Sequence, residues 1–271
     1  MKDKYSELNL SLINKIRQNL KYDHKMQVKN ISKISGYSIK YTQQIFFKKN
    51  GITIGKYIKK SILSKGAILL VLTKRDVIDI SLELGYTSQQ SFTRAFKNEF
   101  LLPPVRYRKR GILVGLSIIE KNVNKKFICL GKKYLISIHQ KASHMRFFDT
   151  LLNGGEIKIR EQRLKAIMHS LKYDNSVIIS SKLIPSLKKT NEIYIDSFVF
   201  YKNSCGHDRT ALGQEYWRIK FDGCLTDYIE SGRDIVFFIH KPFSKNIVEI
   251  FTKTSCNTLD IEIYIPIVDD L

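Results

Sequence analysis

The chain has 271 residues, of which 43% are hydrophobic and 11% aromatic, and its formal net charge is +21 at pH 7. A folded domain usually takes roughly 100 to 200 residues, so this length favours two domains, and the apolar content excludes extended disorder. The longest apolar run, Ala67 to Leu72, is far shorter than the roughly 20 residues of a membrane span, and Asp3 and Glu7 argue against a signal peptide. We therefore expect a cytoplasmic protein with no membrane partner.

The positive charge is concentrated in the first part of the sequence. Residues 1–110 contain 23 Lys and Arg against 7 Asp and Glu, whereas residues 111–271 contain 23 against 18. Such an excess is typical of proteins that bind a polyanion, because neutralising phosphates releases condensed counterions. We therefore expect the polyanion to contact this first part of the chain.

Three helices are predicted before Gly51. Residues 8–20 carry Leu or Ile at every fourth position, which is the apolar stripe of an amphipathic helix. Residues 28–34 predict a short second helix that ends at Gly36, since glycine best adopts the left-handed conformation of a helix end. Ser38 is then placed to cap a third helix, Ile39 to Lys49.

The same pattern occurs again after a long helix. An apolar stretch from Ile54 to about Leu72 predicts a buried helix that joins two similar units. A short helix then ends at Gly85, as the earlier one ends at Gly36, and Ser88 is placed to cap another helix. This recurrence predicts an internal duplication of a helix-turn-helix unit.

Prolines and a basic segment separate this part from the rest. Pro103 and Pro104 end the second capped helix, and basic residues 106–110 follow on a predicted short helix. Beyond this segment the pattern changes, and strands are predicted at Leu113–Ile119, Leu135–Ile138, Ile193–Phe200, Ile235–His240 and Leu259–Ile267. Helices are predicted near Arg160–Leu171 and Ser244–Thr252. The sequence thus predicts an all-α N-terminal domain, residues 1–112, with two helix-turn-helix units joined by a long helix. An α+β C-terminal domain, residues 113–271, with an antiparallel sheet and its own core should follow.

Four segments, Gly36–Ser38, Val77–Tyr86, Ser88–Lys97 and Pro103–Arg108, resemble the AraC/XylS regulators, most of all the branch of Mar, Sox and Rob. The resemblance covers roughly Tyr5 to Arg110. It implies a sequence-specific, nucleoid-associated activator that acts through RNA polymerase and places two recognition helices in successive major grooves of double-stranded DNA. The genes that such an activator controls would serve stress and resistance or encode fimbrial and surface antigens.

The resemblance also implies which side chains contact DNA. In this family the outward residues of both recognition helices contact the bases, and basic residues nearby contact phosphates. Gln can pair with adenine and Arg with guanine through two hydrogen bonds, and Thr can contact the thymine methyl. A solvated helix face is the alternative for each of these residues. The expected set is Lys40, Gln43, Gln44, Lys48, Gln89, Gln90, Thr93, Arg94, Lys97, Arg106 and Arg108.

Three positions depart from this branch. It commonly has Trp where Lys40 stands, Arg where Gln44 stands, and a basic residue where Ile62 stands. The first two lie on the reading face, so the target sequence of the relatives does not carry over. The first recognition helix therefore either reads different bases or mainly positions the protein.

The C-terminal domain resembles the gyrase-inhibitor-like effector module of Rob, through the domain order, Glu192–Ile195 and Leu259–Ile267. In related sensors an acidic residue in an aromatic pocket captures cationic ligands, and Trp217, Glu262 and Tyr264 are the candidates here. Side chains alternate along a strand, however, so Glu262 should lie on the strand face opposite to that of the neighbouring isoleucines. The alternative is therefore a solvated carboxylate, in a domain that either binds a protein partner or only stabilises the regulator.

Other chemistry is weakly indicated. The cysteines lack a C-x-x-C pair, so zinc and disulfides are not expected, and Gly154-Gly155 is predicted to be a turn. Cys205-Gly206-His207 could supply a nucleophile and base or two metal ligands, but it lacks further partners. We therefore expect that the chain is not an enzyme and that it binds no cofactor or metal. The cysteines are Cys129, Cys205, Cys224 and Cys256.

Two other functions compete with regulation by DNA binding. One is a small-molecule-binding or hydrolytic module that the basic N-terminal domain tethers to nucleic acid. A tether needs charge but no duplicated framework of capped helices, which disfavours this function. The other is RNA binding, which lacks the exposed aromatic residues of the common single-strand readers.

Overall fold

The structure is a computed structural model. It describes residues 4–22, 30–116, 127–135, 138–139, 142–150, 157–188, 190–200, 209–210, 214–231, 245–254 and 258–268. No helix within these ranges is long and apolar enough to cross a membrane. The predicted strand at 235–240, the Cys205-Gly206-His207 motif, the Gly154-Gly155 turn and Cys256 lie outside the described residues.

The N-terminal part is helical, as predicted. Helices α1 and α4 contain 19 residues each, and α3 and α6 contain 12 residues each. A long helix is therefore followed twice by a short helix and a 12-residue helix, whereas the identity of these pairs as two helix-turn-helix units stays a prediction. The elements are α1 (Lys4–Tyr22), α2 (Ile31–Ser35), α3 (Ile39–Asn50), α4 (Ile54–Leu72), α5 (Val77–Glu83), α6 (Gln89–Phe100) and α7 (Pro104–Arg110).

Local signals set the ends of the repeated helices. Ser38 and Ser88 cap α3 and α6, and each side chain accepts a hydrogen bond from the backbone N–H three residues later. Gly36 and Gly85 follow the short helices α2 and α5 with φ values of 74° and 84°. Glycine is favoured at both places because other residues rarely adopt a positive φ.

Helix α4 is the centre of the helical core. Fourteen of its 19 residues are buried, so helices must pack around almost its whole circumference. At Gly66 an added Cβ would meet Leu84 at 3.0 Å and Phe92 at 3.2 Å, so the glycine permits close contact with the chain around α5 and α6. The rings of Phe92, Phe96 and Tyr107 continue the packing, with centroids 5.4 and 5.2 Å apart.

The C-terminal part is an antiparallel sheet with helices. Seven strands follow the order β1-β7-β9-β8-β4-β5-β3, and β2 and β6 pair separately. The α+β class predicted for this part is therefore confirmed. The elements are β1 (Phe127–Leu135), β2 (Ile138–His139), β3 (Ala142–Thr150), α8 (Ile157–Tyr173), β4 (Ser176–Pro185), β5 (Glu192–Phe200), β6 (Arg209–Thr210), β7 (Gln214–Phe221), α9 (Leu225–Ser231), β8 (Asn246–Lys253) and β9 (Leu259–Pro266).

The helix predicted near Ser244–Thr252 is wrong, because β8 occupies this segment and pairs with β4 and β9. Apolar side chains at 247, 248, 250 and 251 fit a helical stripe as well as a strand. A central strand is buried on both faces, and Val248 and Phe251, which point to opposite faces, are indeed 2% and 0% exposed. Pairing with a strand on each side, β4 and β9, therefore decided between the two structures.

Other strand predictions were partly correct. The strands at 193–200 and 259–267 are present as β5 and β9. Of the predicted strand at 113–119, Leu113 forms only an isolated bridge and residues 117–119 lie outside the described ranges. Of the predicted strand Leu135–Ile138, Leu135 ends β1, Ile138 begins β2, and residues 136 and 137 lie outside the described ranges. The rest of β1, and β3, β4, β7 and α9, were not predicted.

A buried charged cluster joins the helices to the sheet. Glu249 of β8 is 3% exposed and accepts hydrogen bonds from Arg163 of α8 and Tyr228 of α9. Burial raises the pKa of the Tyr228 hydroxyl, and the Glu249 charge raises it further. The carboxylate thus fixes both helices against one face of the sheet.

The helical part and the sheet are in direct contact. Arg75, which precedes α5, forms an ion pair with Glu83 at the end of α5 and donates a 2.6 Å hydrogen bond to Asn191, which precedes β5. Asn191 in turn donates a 3.3 Å hydrogen bond to Glu83. Buried residues of both parts belong to one continuous apolar cluster.

We predict that Glu249→Gln lowers the free energy of unfolding by about 3 kcal/mol, because Arg163 loses its buried counter-ion. Urea unfolding of the full chain measures this difference. Glu161→Gln is the matched control, since Glu161 is an exposed residue of the same helix as Arg163. Equal effects of the two substitutions would contradict the importance of the buried charge.

Candidate nucleic-acid interface

Helix α3 presents a polar and basic face to solvent. Its Thr42, Ile45 and Phe46 are buried and orient the helix. Residues four apart lie on one side of a helix, so 40, 44 and 48 form a line along it. All four residues predicted on this helix are exposed: Lys40, Gln43, Gln44 and Lys48.

Helix α6 has the same arrangement. Phe92 and Phe96 are fully buried, and the opposite side is polar. Thr93 is only partly exposed, at the border between the two sides. The other four predicted residues are exposed: Gln89, Gln90, Arg94 and Lys97.

Two tyrosines extend the exposed face of α3. Tyr37 and Tyr41 are 43% and 40% exposed, and their ring centroids are 5.5 Å apart. Sequence analysis did not select them. Tyr41 lies three residues before Gln44 in α3, a helical spacing that could have indicated a shared face, whereas Tyr37 precedes the capped start of the helix and carries no such signal. The two tyrosines add aromatic contact area beside the polar side chains.

Helix α7 divides its basic residues between solvent and the core. Arg106 and Lys109 are exposed. The guanidinium of Arg108 instead donates hydrogen bonds to the backbone oxygens of Leu70, at 3.0 Å, and Arg75, at 2.5 Å. Burial lowers the pKa of Arg108, while the charge of Asp76 opposes this shift.

Arg108 was expected to contact DNA, and its geometry indicates a different role. Its guanidinium binds carbonyl groups at the end of α4 and in the turn that follows, so it fixes α7 against the helical core. The basic run 106–110 alone could not reveal which of its side chains turn inward.

The carboxylate of Glu262 in β9 is already paired within the protein. Arg218 of β7 donates two hydrogen bonds to it, and the hydroxyl of Tyr264 donates a third. Burial alone would raise the pKa of Glu262, but the hydrogen bonds from Arg218 and Tyr264 and the charges of Arg218 and Lys133 lower it overall. Glu262 is therefore neither an unpaired buried charge nor a fully solvated one.

The three residues predicted to form a ligand pocket do not share one face of the sheet. In the register of β7 and β9, Trp217 lies opposite Ile265 and Arg218 lies opposite Tyr264. Because side chains alternate along a strand, Trp217 points to the face opposite that of Glu262 and Tyr264. Trp217 packs with the main apolar cluster, and the pocket prediction is corrected accordingly.

Comparisons with known proteins extend the sequence resemblance. Residues 12–110 match the family described as a helix-turn-helix domain. The Right origin-binding protein of Escherichia coli K12 is 37% identical over 128 residues, which are 45% of this chain and 44% of that protein. The regulatory protein SoxS of Salmonella typhimurium is 40% identical over 88 residues, which are 32% of this chain and 82% of SoxS.

The chain belongs to the AraC/XylS family. A longer similarity links this AraC/XylS protein to the F1 operon positive regulatory protein of Yersinia pestis, which is 28% identical over 249 residues, 87% of this chain and 80% of that protein. The match to the Right origin-binding protein spans less than half the length of that relative. Family membership therefore rests on the helical part of the chain.

The Glu262 pairing in this AraC/XylS protein makes stability depend on pH. Its folded-state pKa is lowered, so the charged form stabilises the fold above the unfolded pKa of about 4.3 and the contribution is lost as pH falls through the folded pKa. We predict that Glu262→Gln costs about 1 to 2 kcal/mol at pH 7 and progressively less below pH ~4. Urea unfolding of both proteins across this range measures the difference, and a pH-independent difference would contradict it.

Proposed function

We propose that the chain is a sequence-specific DNA-binding transcription regulator that reads two successive major grooves of promoter DNA with α3 and α6. The observation that carries this proposal is the pair of serine-capped, 12-residue helices, each with an aromatic core side and an exposed polar side. In this proposal α2 with α3, and α5 with α6, are two helix-turn-helix units. One chain then carries two readers and can recognise an asymmetric site without a partner copy.

The proposed DNA-contacting set follows from exposure. Lys40, Gln43, Gln44, Gln89, Gln90, Thr93 and Arg94 contact base edges, and Lys48, Lys97 and Arg106 contact phosphates. Arg108 is left out because it binds backbone carbonyl groups. Gln and Arg are suited to adenine and guanine, respectively, because each can form two hydrogen bonds with its base.

We also propose activation through RNA polymerase, in a cytoplasmic, nucleoid-associated protein. The name of the Yersinia pestis relative, a positive regulatory protein of the F1 operon, supports activation and a surface-antigen or stress-related set of genes. The similarity to that relative covers most of this chain and so includes much of the sheet. The regulator function requires no catalysis by the chain itself.

The domains are proposed as 1–112 for DNA binding and 113–271 for an effector-binding or partner-binding domain of the gyrase-inhibitor-like kind. The paired state of Glu262 argues against capture of a cation by this carboxylate unless Arg218 is displaced first. A protein partner or an uncharged ligand therefore fits this domain better. The Arg75–Asn191 contact supports modulation of the helical part by the sheet.

The function is tested by selecting bound duplexes from a random DNA pool with the full chain. We expect one asymmetric motif with two blocks of preferred bases about one helical turn apart, since each block faces one reader. Affinity should also fall steeply with salt because the exposed cations replace counterions. A motif with a single block, or enrichment of no sequence at all, would contradict the proposal.

We predict that Arg94→Ala weakens binding to the selected duplex by about 1 to 3 kcal/mol and relaxes the preference at one base pair. The reason is the loss of a contact to a base edge. Lys97→Ala is the matched variant, and it should weaken selected and random duplexes alike because it removes a phosphate contact. Fluorescence anisotropy with both duplexes distinguishes the two outcomes, and a uniform loss for Arg94→Ala would assign Arg94 to phosphate.

A further inference from the structure

Each 12-residue helix is joined to another helix by a polar contact between side chains near its C-terminal end, opposite the capped end. We call this contact the polar attachment of the helix. In each case the partner lies on the 19-residue helix that precedes the unit: α1 for α3, and α4 for α6. The two long helices occupy equivalent places in the repeat, as do α3 and α6. The attachment therefore recurs with the repeat, although its chemistry differs between the units.

The first attachment is a pair of amide side chains. Asn50 donates a 2.7 Å hydrogen bond to the side-chain oxygen of Asn9, and Asn9 donates one of 3.3 Å in return. Asn9 is only 3% exposed, and the Asn50 amide also donates to the backbone oxygen of Phe46 at 2.9 Å. Lys49 adds a 3.0 Å hydrogen bond to Ser6 of α1.

The second attachment is an ion pair. Glu99 of α6 lies 2.9 Å from the ammonium of Lys60 in α4, and the side chains of Lys60 and Glu99 are 25% and 21% exposed. Glu99 is the last residue but one of α6, just as Lys49 is in α3. Both helices are thus packed through buried aromatic residues, Phe46 in α3 and Phe92 and Phe96 in α6, and each is joined to a long helix by polar contacts at its C-terminal end.

The polar contact matters because a helix that is held only by apolar packing on one side can still tilt about the packed residues. Twelve residues span roughly 18 Å, so a tilt of about 10° moves one end by roughly 3 Å relative to the other. Hydrogen bonds to base edges tolerate only a few tenths of an ångström, and binding groups must be held within about 0.5 Å. A free end would therefore impair base recognition while leaving long-range attraction to phosphates intact.

We infer that Asn9 with Asn50, and Lys60 with Glu99, are positioning residues that each fix the tilt of one recognition helix on DNA. This inference rests on the proposed function. None of the four residues is assigned to DNA contact. Each pair governs one half of the DNA site, so the two halves can be impaired independently.

The test repeats the DNA selection with full-length Asn50→Ala and Glu99→Ala, after Gln43→Ala and Arg94→Ala have identified the block that faces each helix. We expect Asn50→Ala to lose base preference in the α3 block alone, and Glu99→Ala in the α6 block alone. Affinity for the wild-type motif should fall roughly 3- to 10-fold, because a misaligned helix loses about one hydrogen bond to a base edge. Affinity for a random duplex should stay unchanged.

Rescue separates positioning from simple destabilisation. The reversed pair Lys60→Glu with Glu99→Lys should restore the α6 block, whereas Lys60→Glu alone should not. Lys165→Ala, at an exposed position of α8, is the control for a lost surface charge. Thermal unfolding of every variant shows that the comparison is made between folded proteins, and the partly exposed Glu99 provides a variant that folds if Asn50→Ala does not.

Two results would overturn the inference. One is an equal loss of preference in both blocks accompanied by a lower unfolding temperature, which would assign the pairs to stability alone. The other is an unchanged motif in both variants. Failure of the wild-type chain to select any motif is a different outcome, because it would reject the proposed function from which the inference starts.

Discussion

The burial of α4 is the constraint on which the helical part depends. A helix that is buried on almost every side cannot be shared by two loosely connected units, because each unit must pack closely against it. Gly66 brings the chain around α5 and α6 against α4 without a side chain in between. The exposed faces of α3 and α6 are therefore oriented by a common central helix, and their relative orientation is set by packing rather than by the length of a connection.

The large positive charge is less available for DNA than the sequence suggests. Arg75, Arg108, Arg163 and Arg218 bind carboxylates or backbone carbonyl groups inside the protein. These pairs compensate for desolvation, which is why their guanidinium groups are not free to neutralise phosphate. The cations that remain exposed are fewer, and Lys40 and Lys48 of α3, like Arg94 and Lys97 of α6, lie at helical spacing on one side of their helix. Position along a helix thus matters more for recognition than net charge does.

The sequence predicted the helical part well because its signals are local. Ser38 and Ser88 lie beside the backbone groups that they cap, and the glycines lie beside the turns that need them. The sheet was predicted less well, because strand formation depends on pairing with other strands, and one of the partners of β8 is β4, which lies about 60 residues earlier in the chain. The segment 247–251 is a strand only because β4 and β9 lie on either side of it.

The candidate site shows the same division. Exposure of the residues on α3 and α6 follows from helical periodicity and could be predicted. The pairing of Glu262 with Arg218 joins residues that are 44 positions apart, and the inward turn of Arg108 depends on carbonyl groups at the end of α4. Sequence patterns carry no signal for such contacts. The residues whose roles had to be corrected are therefore those whose partners are distant.

The boundary between the basic helical part and the sheet is sharp in charge but continuous in packing. Leu113 and Leu116, beyond α7, belong to the buried cluster that also contains residues of α4 and β4. Arg75, just before α5, forms an ion pair with Glu83 at the end of α5 and a hydrogen bond with Asn191 before β5. The chain around α5 also packs against α6, so the contact between Arg75 and Asn191 is one helix away from α6. In the proposed function, an effect of the sheet on DNA recognition would therefore need only a small shift at this contact and no change in the fold of either part.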